Sequence, residues 1–78
     1  MEEKILNIIE EISGTDEIKR NRDINLFDKG LLDSLGMIEL FVALEEVLGV
    51  TIEPTEIERE EINTPNKIIN YVFRKVNQ

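Results

Sequence analysis

The sequence predicts an all-α fold: a small bundle of three longer helices and one short helix, with a long loop between the first and second. Three observations carry that expectation. Apolar residues recur at helical spacing near the N-terminus, in the middle and near the C-terminus of the chain. Helix punctuation stands where those segments begin and end, with Gly14 and Gly49 after the first two and Thr64-Pro65 before the last. The stretch with a strand-like flavour, Val50-Thr51-Ile52-Glu53-Pro54, has no second strand to pair with.

In the first helix Ile5, Ile8, Ile9 and Ile12 form one face, with Glu2, Glu3, Glu10 and Glu11 on the others. It should stop near Ser13-Gly14, where glycine supplies a C-terminal cap. Residues 15–33 are then a long connection anchored by Ile18, Ile24, Leu26, Phe27, Leu31 and Leu32, with room for a helical turn around Asp16–Arg20. A loop of that length in a small domain is often functional. The second helix runs from about Ser34 to Leu48 and ends at Gly49, and Thr55–Glu61 is the candidate short helix. Thr64 can cap the last helix, and Pro65 at the first helical position loses no hydrogen bond. Ile68, Ile69, Val72 and Val76 make its apolar stripe.

Length and composition narrow the chemistry. Residues 1–78 suit a single domain near the lower size at which a chain folds alone. The chain has no cysteine and no histidine. Disulfides, thiol chemistry, zinc sites and a Ser-His or Cys-His pair are therefore excluded within it. The N-terminus is acidic and amphipathic, unlike a signal peptide, and no apolar run approaches the roughly 18 residues of a transmembrane helix. A soluble cytoplasmic protein with no membrane insertion is expected. The net charge of −8 makes nucleic acid and anionic membrane poor partners and basic protein surfaces better ones. Between Lys29 and Lys67 the only basic residue is Arg59, set among many glutamates. Such a face is equally what a solubilising surface looks like.

At helical intervals, Met37, Leu40, Phe41, Leu44, Val47 and Leu48 cluster on one side of the second helix and should be core. Leu35 and Val42 fall nearly opposite, beside Glu39 and Glu46, with Ile38 and Glu45 at the margin. Apolar residues ringed by carboxylates are the pattern of a docking surface. The alternative is that loop 15–33 covers Leu35 and Val42.

The start of that helix reads GLLDSLGMIEL, residues 30–40. Ser34 can cap the helix by accepting from an early amide, which stabilises by about 1 kcal/mol. A self-activated nucleophile needs a general base, and Asp33, adjacent in sequence, has poor geometry for it. A calcium loop beginning at Asp23 fails, because Phe27 falls at a ligand position and the required glycine and terminal glutamate are missing. The third possibility, beside the cap, is covalent modification. Asp33-Ser34-Leu35 at the head of the second helix, the long loop with Phe27 before it and the acidic helix after it resemble the attachment site of acyl and peptidyl carrier proteins, small four-helix bundles. The resemblance covers essentially the whole chain. LFDKGLLDSLG and PTEIEREEINTPNKI resemble in particular the D-alanyl carrier family, with Glu56-Ile57, Arg59 and Thr64-Pro65-Asn66 at matching places and Gly36 after Ser34-Leu35. That family usually has tryptophan where this chain has Ile62.

The resemblance implies that Ser34 receives 4′-phosphopantetheine from coenzyme A through a phosphopantetheinyl transferase. It further implies an ATP-dependent ligase that loads D-alanine as a thioester, and a membrane O-acyltransferase that takes it to lipoteichoic or teichoic acid in cell wall biogenesis. The chain itself would be no enzyme, with no catalytic residues and no metal. Asp33, Leu35, Ile38, Glu39, Val42, Glu45 and Glu46 would be read by partners, and nothing calls for more than a monomer. A carrier of fatty-acid, polyketide or nonribosomal-peptide intermediates and an unmodified acidic interaction module are the competing readings.

Overall fold

The computed structural model describes residues 1–77. Helix α1 (Glu2–Ser13) carries Glu2 and Glu3 in its first turn, where the helix dipole favours them, and buries Ile5, Leu6, Ile8 and Ile9. It ends at Gly14, whose φ of 77° is the left-handed conformation that glycine adopts without strain; the Gly14 N–H donates to the Glu10 carbonyl at 2.8 Å. This helix packs against all the other α-helices, so the bundle is organised around it.

The long connection is stapled down rather than free. Its helical turn is α2 (Glu17–Arg20), which buries Ile18. Arg22 pairs with Glu2 at the head of α1, and the Arg22 carbonyl accepts from the Asn66 N–H at 3.0 Å. Asn66 also donates from its amide to Asp23 at 2.9 Å. Leu26, fully buried, donates its N–H to the Asn63 carbonyl at 2.7 Å and accepts at its own carbonyl from Leu31 and Leu32. These bonds fix where the chain re-emerges at Asp33.

Helix α3 (Ser34–Leu48) buries Gly36, Leu40, Phe41 and Leu44 and ends at Gly49. Val50 and Ile52 then enter the core without forming a strand. The expected short helix over Thr55–Glu61 is replaced by two 3₁₀ turns, Pro54–Glu56 and Arg59–Glu61. Each is closed by its own capping box, Glu53 with Glu56 and Glu58 with Glu61, so neither needs to propagate. Between them Ile57 is extended (φ −136°, ψ 141°) and packs against the core.

Helix α4 (Pro65–Val76) starts as its sequence requires: the Thr64 hydroxyl accepts from the Lys67 N–H at 3.1 Å, and Pro65 occupies the first turn. Ile68, Ile69, Tyr71 and Val72 are buried. The expected core needs correction at four residues. Val47 is exposed, because it borders an open groove between α1 and α3 beside Glu11 and Ile12. Val76 is exposed at the last helical position, and Met37 and Leu48 are only half-buried. No helix among the described residues is long and apolar enough to cross a membrane.

Candidate functional site

The site is built on the N-terminus of α3. Asp33 has extended backbone (φ −125°, ψ −173°) and is the N-cap; its Oδ1 accepts from the Gly36 N–H at 2.7 Å. Ser34 is therefore the first helical residue, and the reading of Ser34 as the cap is corrected. The physical reason lies in backbone geometry. A cap needs extended φ and ψ so that its side chain can curl back onto the amide three residues on, and Asp33 holds that conformation.

Gly36 makes this arrangement fit. A Cβ there would lie 3.0 Å from Leu32 Cδ1, 3.2 Å from Asp33 Oδ1 and 3.5 Å from Ile12 Cγ2. The helix start is thus pressed against both the loop and α1, and only the smallest residue leaves room for the capping carboxylate.

With the cap supplied by Asp33, the Ser34 hydroxyl points outward and is exposed. It accepts one hydrogen bond, from the Arg59 guanidinium. Arg59 is the first residue of the second 3₁₀ turn and lies over the Phe27 ring, 4.9 Å from its centroid. Guanidinium cannot take a proton, so the contact positions the hydroxyl without activating it. Among the described residues there is no group of three or more His, Cys, Asp or Glu side chains that could hold a metal ion. An exposed hydroxyl at the head of a fifteen-residue helix, with a cation beside it, suits attachment of an anionic phosphodiester.

Loop 15–33 does not cover the outer face of α3. Leu35 is 68% exposed, Val42 51% and Ile38 41%, while Glu39, Glu45 and Glu46 are all exposed around them. The loop instead turns Leu26 and Leu32 into the core. Asp33, Leu35, Ile38, Glu39, Val42, Glu45 and Glu46 thus share one accessible helix with Ser34. Ile38 and Val42 form a ridge with grooves on both flanks, toward α1 on one side and toward Thr51–Pro54 on the other.

Away from this face, Lys75 holds the first 3₁₀ turn to α4 through Glu56 at 2.9 Å. The hydrogen bond from Lys75 pulls the Glu56 carboxyl below its ordinary range, and the same bond raises Lys75. Burial raises the Tyr71 phenol, helped by the charge of Glu56. These groups organise the fold. Ile62 is 1% exposed, so its identity bears on packing rather than on what a partner meets. Arg59 is the residue that sequence reasoning did not connect to Ser34. The available signal was a lone cation among glutamates, but 25 residues of chain separate it from the serine.

Residues 3–72 match the family profile described as "Phosphopantetheine attachment site". The chain is 46% identical over 76 residues to the D-alanyl carrier protein of Abiotrophia defectiva, covering 97% of this chain and 96% of that one. It is 46% identical over 72 residues to that of Enterococcus faecalis, with 92% of each covered. With that of Lactococcus lactis subsp. cremoris it shares 45% over 78 residues, covering 100% of this chain and 99% of the relative.

Proposed function

Because the chain belongs to the D-alanyl carrier protein family, we propose that Ser34 is the residue on which it carries its prosthetic group. The chain is a carrier with a covalently attached 4′-phosphopantetheine and belongs to a non-catalytic family. When bound, the group supplies the thiol that a cysteine-free chain lacks, and D-alanine is held there as a thioester for D-alanylation of teichoic acid. The observation that carries the assignment is the division of tasks at α3. Asp33 makes the cap, leaving the Ser34 hydroxyl exposed and uncommitted to the helix.

In the attachment step the Ser34 oxygen forms a bond to the phosphorus that bears pantetheine in coenzyme A. The pyrophosphate P–O bond breaks and adenosine 3′,5′-bisphosphate leaves. The hydroxyl proton goes to a base on a phosphopantetheinyl transferase, since among the described residues the side chain hydrogen-bonded to the Ser34 hydroxyl is the Arg59 guanidinium, which cannot accept it. A cytoplasmic, ATP-dependent ligase then loads D-alanine, and a membrane O-acyltransferase receives it. Leu35, Ile38 and Val42 form the apolar centre that these enzymes meet, and Asp33, Glu39, Glu45 and Glu46 form its charged rim. Successive partners must bind and release a monomeric carrier, which calls for weak, salt-sensitive contacts with fast association. The carrier's own contribution is tethering, which raises the local concentration of its cargo at each partner.

Intact mass after incubation with coenzyme A and a transferase tests the assignment. The chain should gain one phosphopantetheine, Ser34→Ala should gain none, and the modified chain should then take up D-alanine with ligase and ATP. A gain that persists in Ser34→Ala would move the site elsewhere.

A further inference from the structure

We propose that Arg59 is a positioning residue for the root of the prosthetic group: it holds the Ser34 hydroxyl before modification and the phosphodiester afterwards. The inference rests on the assignment of Ser34 above. Arg59 stands among Glu58, Glu60 and Glu61, its nearest opposite charges in sequence. Yet among the described residues it forms no ion pair; the pairs present join Lys19, Arg20, Arg22 and Lys75 to other carboxylates. Glu58 and Glu61 are occupied with each other's backbone in the capping box of the 3₁₀ turn. The guanidinium is instead laid over Phe27, whose ring packs against the core, and its Nη2 donates to Ser34.

A cation turned away from adjacent carboxylates and braced on an aromatic face is prepared for another anion. A hydroxyl uses one of its five N–H donors, whereas a phosphodiester presents two oxygens that share one negative charge and match the guanidinium fork. The placement also answers an electrostatic difficulty. Asp33 adjoins the serine, and Glu58, Glu60 and Glu61 flank Arg59 in sequence. Without a cation there, the phosphate would enter a negative field opposed only by the helix N-terminus. With Arg59 in place, the arm leaves Ser34 from a fixed root on the side of the 3₁₀ turn.

The test uses ¹⁵N-labelled chain before and after modification, with intact mass recorded on each sample. The Arg59 Nε–Hε resonance should shift on modification and become protected from solvent exchange. The ³¹P resonance of the modified chain should move toward that of the same modified chain unfolded in denaturant in Arg59→Gln, with Arg59→Lys, which keeps the charge and loses the fork, falling between. An unmoved, fast-exchanging Arg59 signal in chain shown by mass to be modified overturns the role of Arg59 and leaves Ser34 standing. If no mass is gained, the Ser34 assignment fails first. Should Arg59→Gln not fold or not accept the group, the unsubstituted chain alone decides through the Nε–Hε signal.

Discussion

Replacing Asp33 separates two roles that coincide in one carboxylate, holding the helix and presenting a charge beside Ser34. Asp33→Ala removes the acceptor of the 2.7 Å bond from the Gly36 N–H. Loss of an aspartate N-cap costs about 1 kcal/mol. The negative charge at the helix N-terminus is worth roughly a further 0.3–1 kcal/mol. In a domain of this length 1 kcal/mol corresponds to about 4–8 °C in Tm, so the Ala variant should melt lower by at least that amount. Asp33→Asn keeps a competent cap and loses only the charge, and should recover most of the difference. Melting followed by circular dichroism reads stability, and intact mass against time with a transferase reads modification. A near-normal melt with slowed modification in Asp33→Asn would show that the charge is used by the transferase. An Ala variant that melts like the unsubstituted chain would refute the capping argument. Equal losses in Ala and Asn would mean that the charge alone, and not the hydrogen bond, holds the helix start.

Gly36→Ala places a Cβ 3.0 Å from Leu32 and 3.2 Å from the capping carboxylate. Overpacking of about 1–3 kcal/mol should outweigh a helix-propensity gain of about 1 kcal/mol, lowering Tm; a raised Tm would show that the contact relaxes freely. Val42→Asp adds a like charge three residues from Glu39 and Glu45 and four from Glu46, at about 0.2–0.5 kcal/mol each. It should remain folded by circular dichroism while losing D-alanine loading by the ligase, whereas global unfolding would place Val42 in the core. Lys75→Met tests the ion pair with Glu56. Because folding lowers the Glu56 pKa, its contribution is complete above the ordinary carboxylate value near 4.5 and is lost as pH falls through the lower folded value. Folding raises Lys75, whose contribution is complete below about 10.5 and is lost as pH rises through the higher folded value. The variant should therefore melt lower through the range between, and the difference should shrink toward both extremes. A pH-independent difference would point to lost packing of the Lys75 stem.

The helices were legible because their signals are local. Ile5, Ile8 and Ile9 repeat at helical spacing, and Gly14, Gly49 and Thr64-Pro65 mark ends by backbone conformation that few other residues satisfy. The exposed face of α3 was legible from the same periodicity. What escaped depended on pairing across the chain. Thr55–Glu61 has helical residues but closes as two separate turns, because each capping box acts within three residues and Ile57 is drawn to the core. Val47 falls on the core side by angle, yet no side chain from α1 reaches over to cover it. The approach of Arg59 to Ser34 needs the loop to place the Phe27 ring against the guanidinium, and periodicity carries no trace of that.

The same limit explains why the sequence left Ser34 between cap and attachment point. Aspartate and serine are comparably good N-caps, so Asp33-Ser34 fits either register. Only the extended backbone of Asp33 decides. The consequence reaches the proposed function. Had Ser34 been the cap, each modification would have removed a hydrogen bond worth about 1 kcal/mol from the start of α3. With Asp33 as the cap, the helix start keeps its bond at 2.7 Å whether or not the hydroxyl is modified. The bond given up is the one from Arg59 to the hydroxyl, and the phosphodiester offers Arg59 a stronger acceptor in the same place. The unmodified and modified chains should therefore present the same α3 surface, so that enzymes acting before and after attachment can meet one docking face.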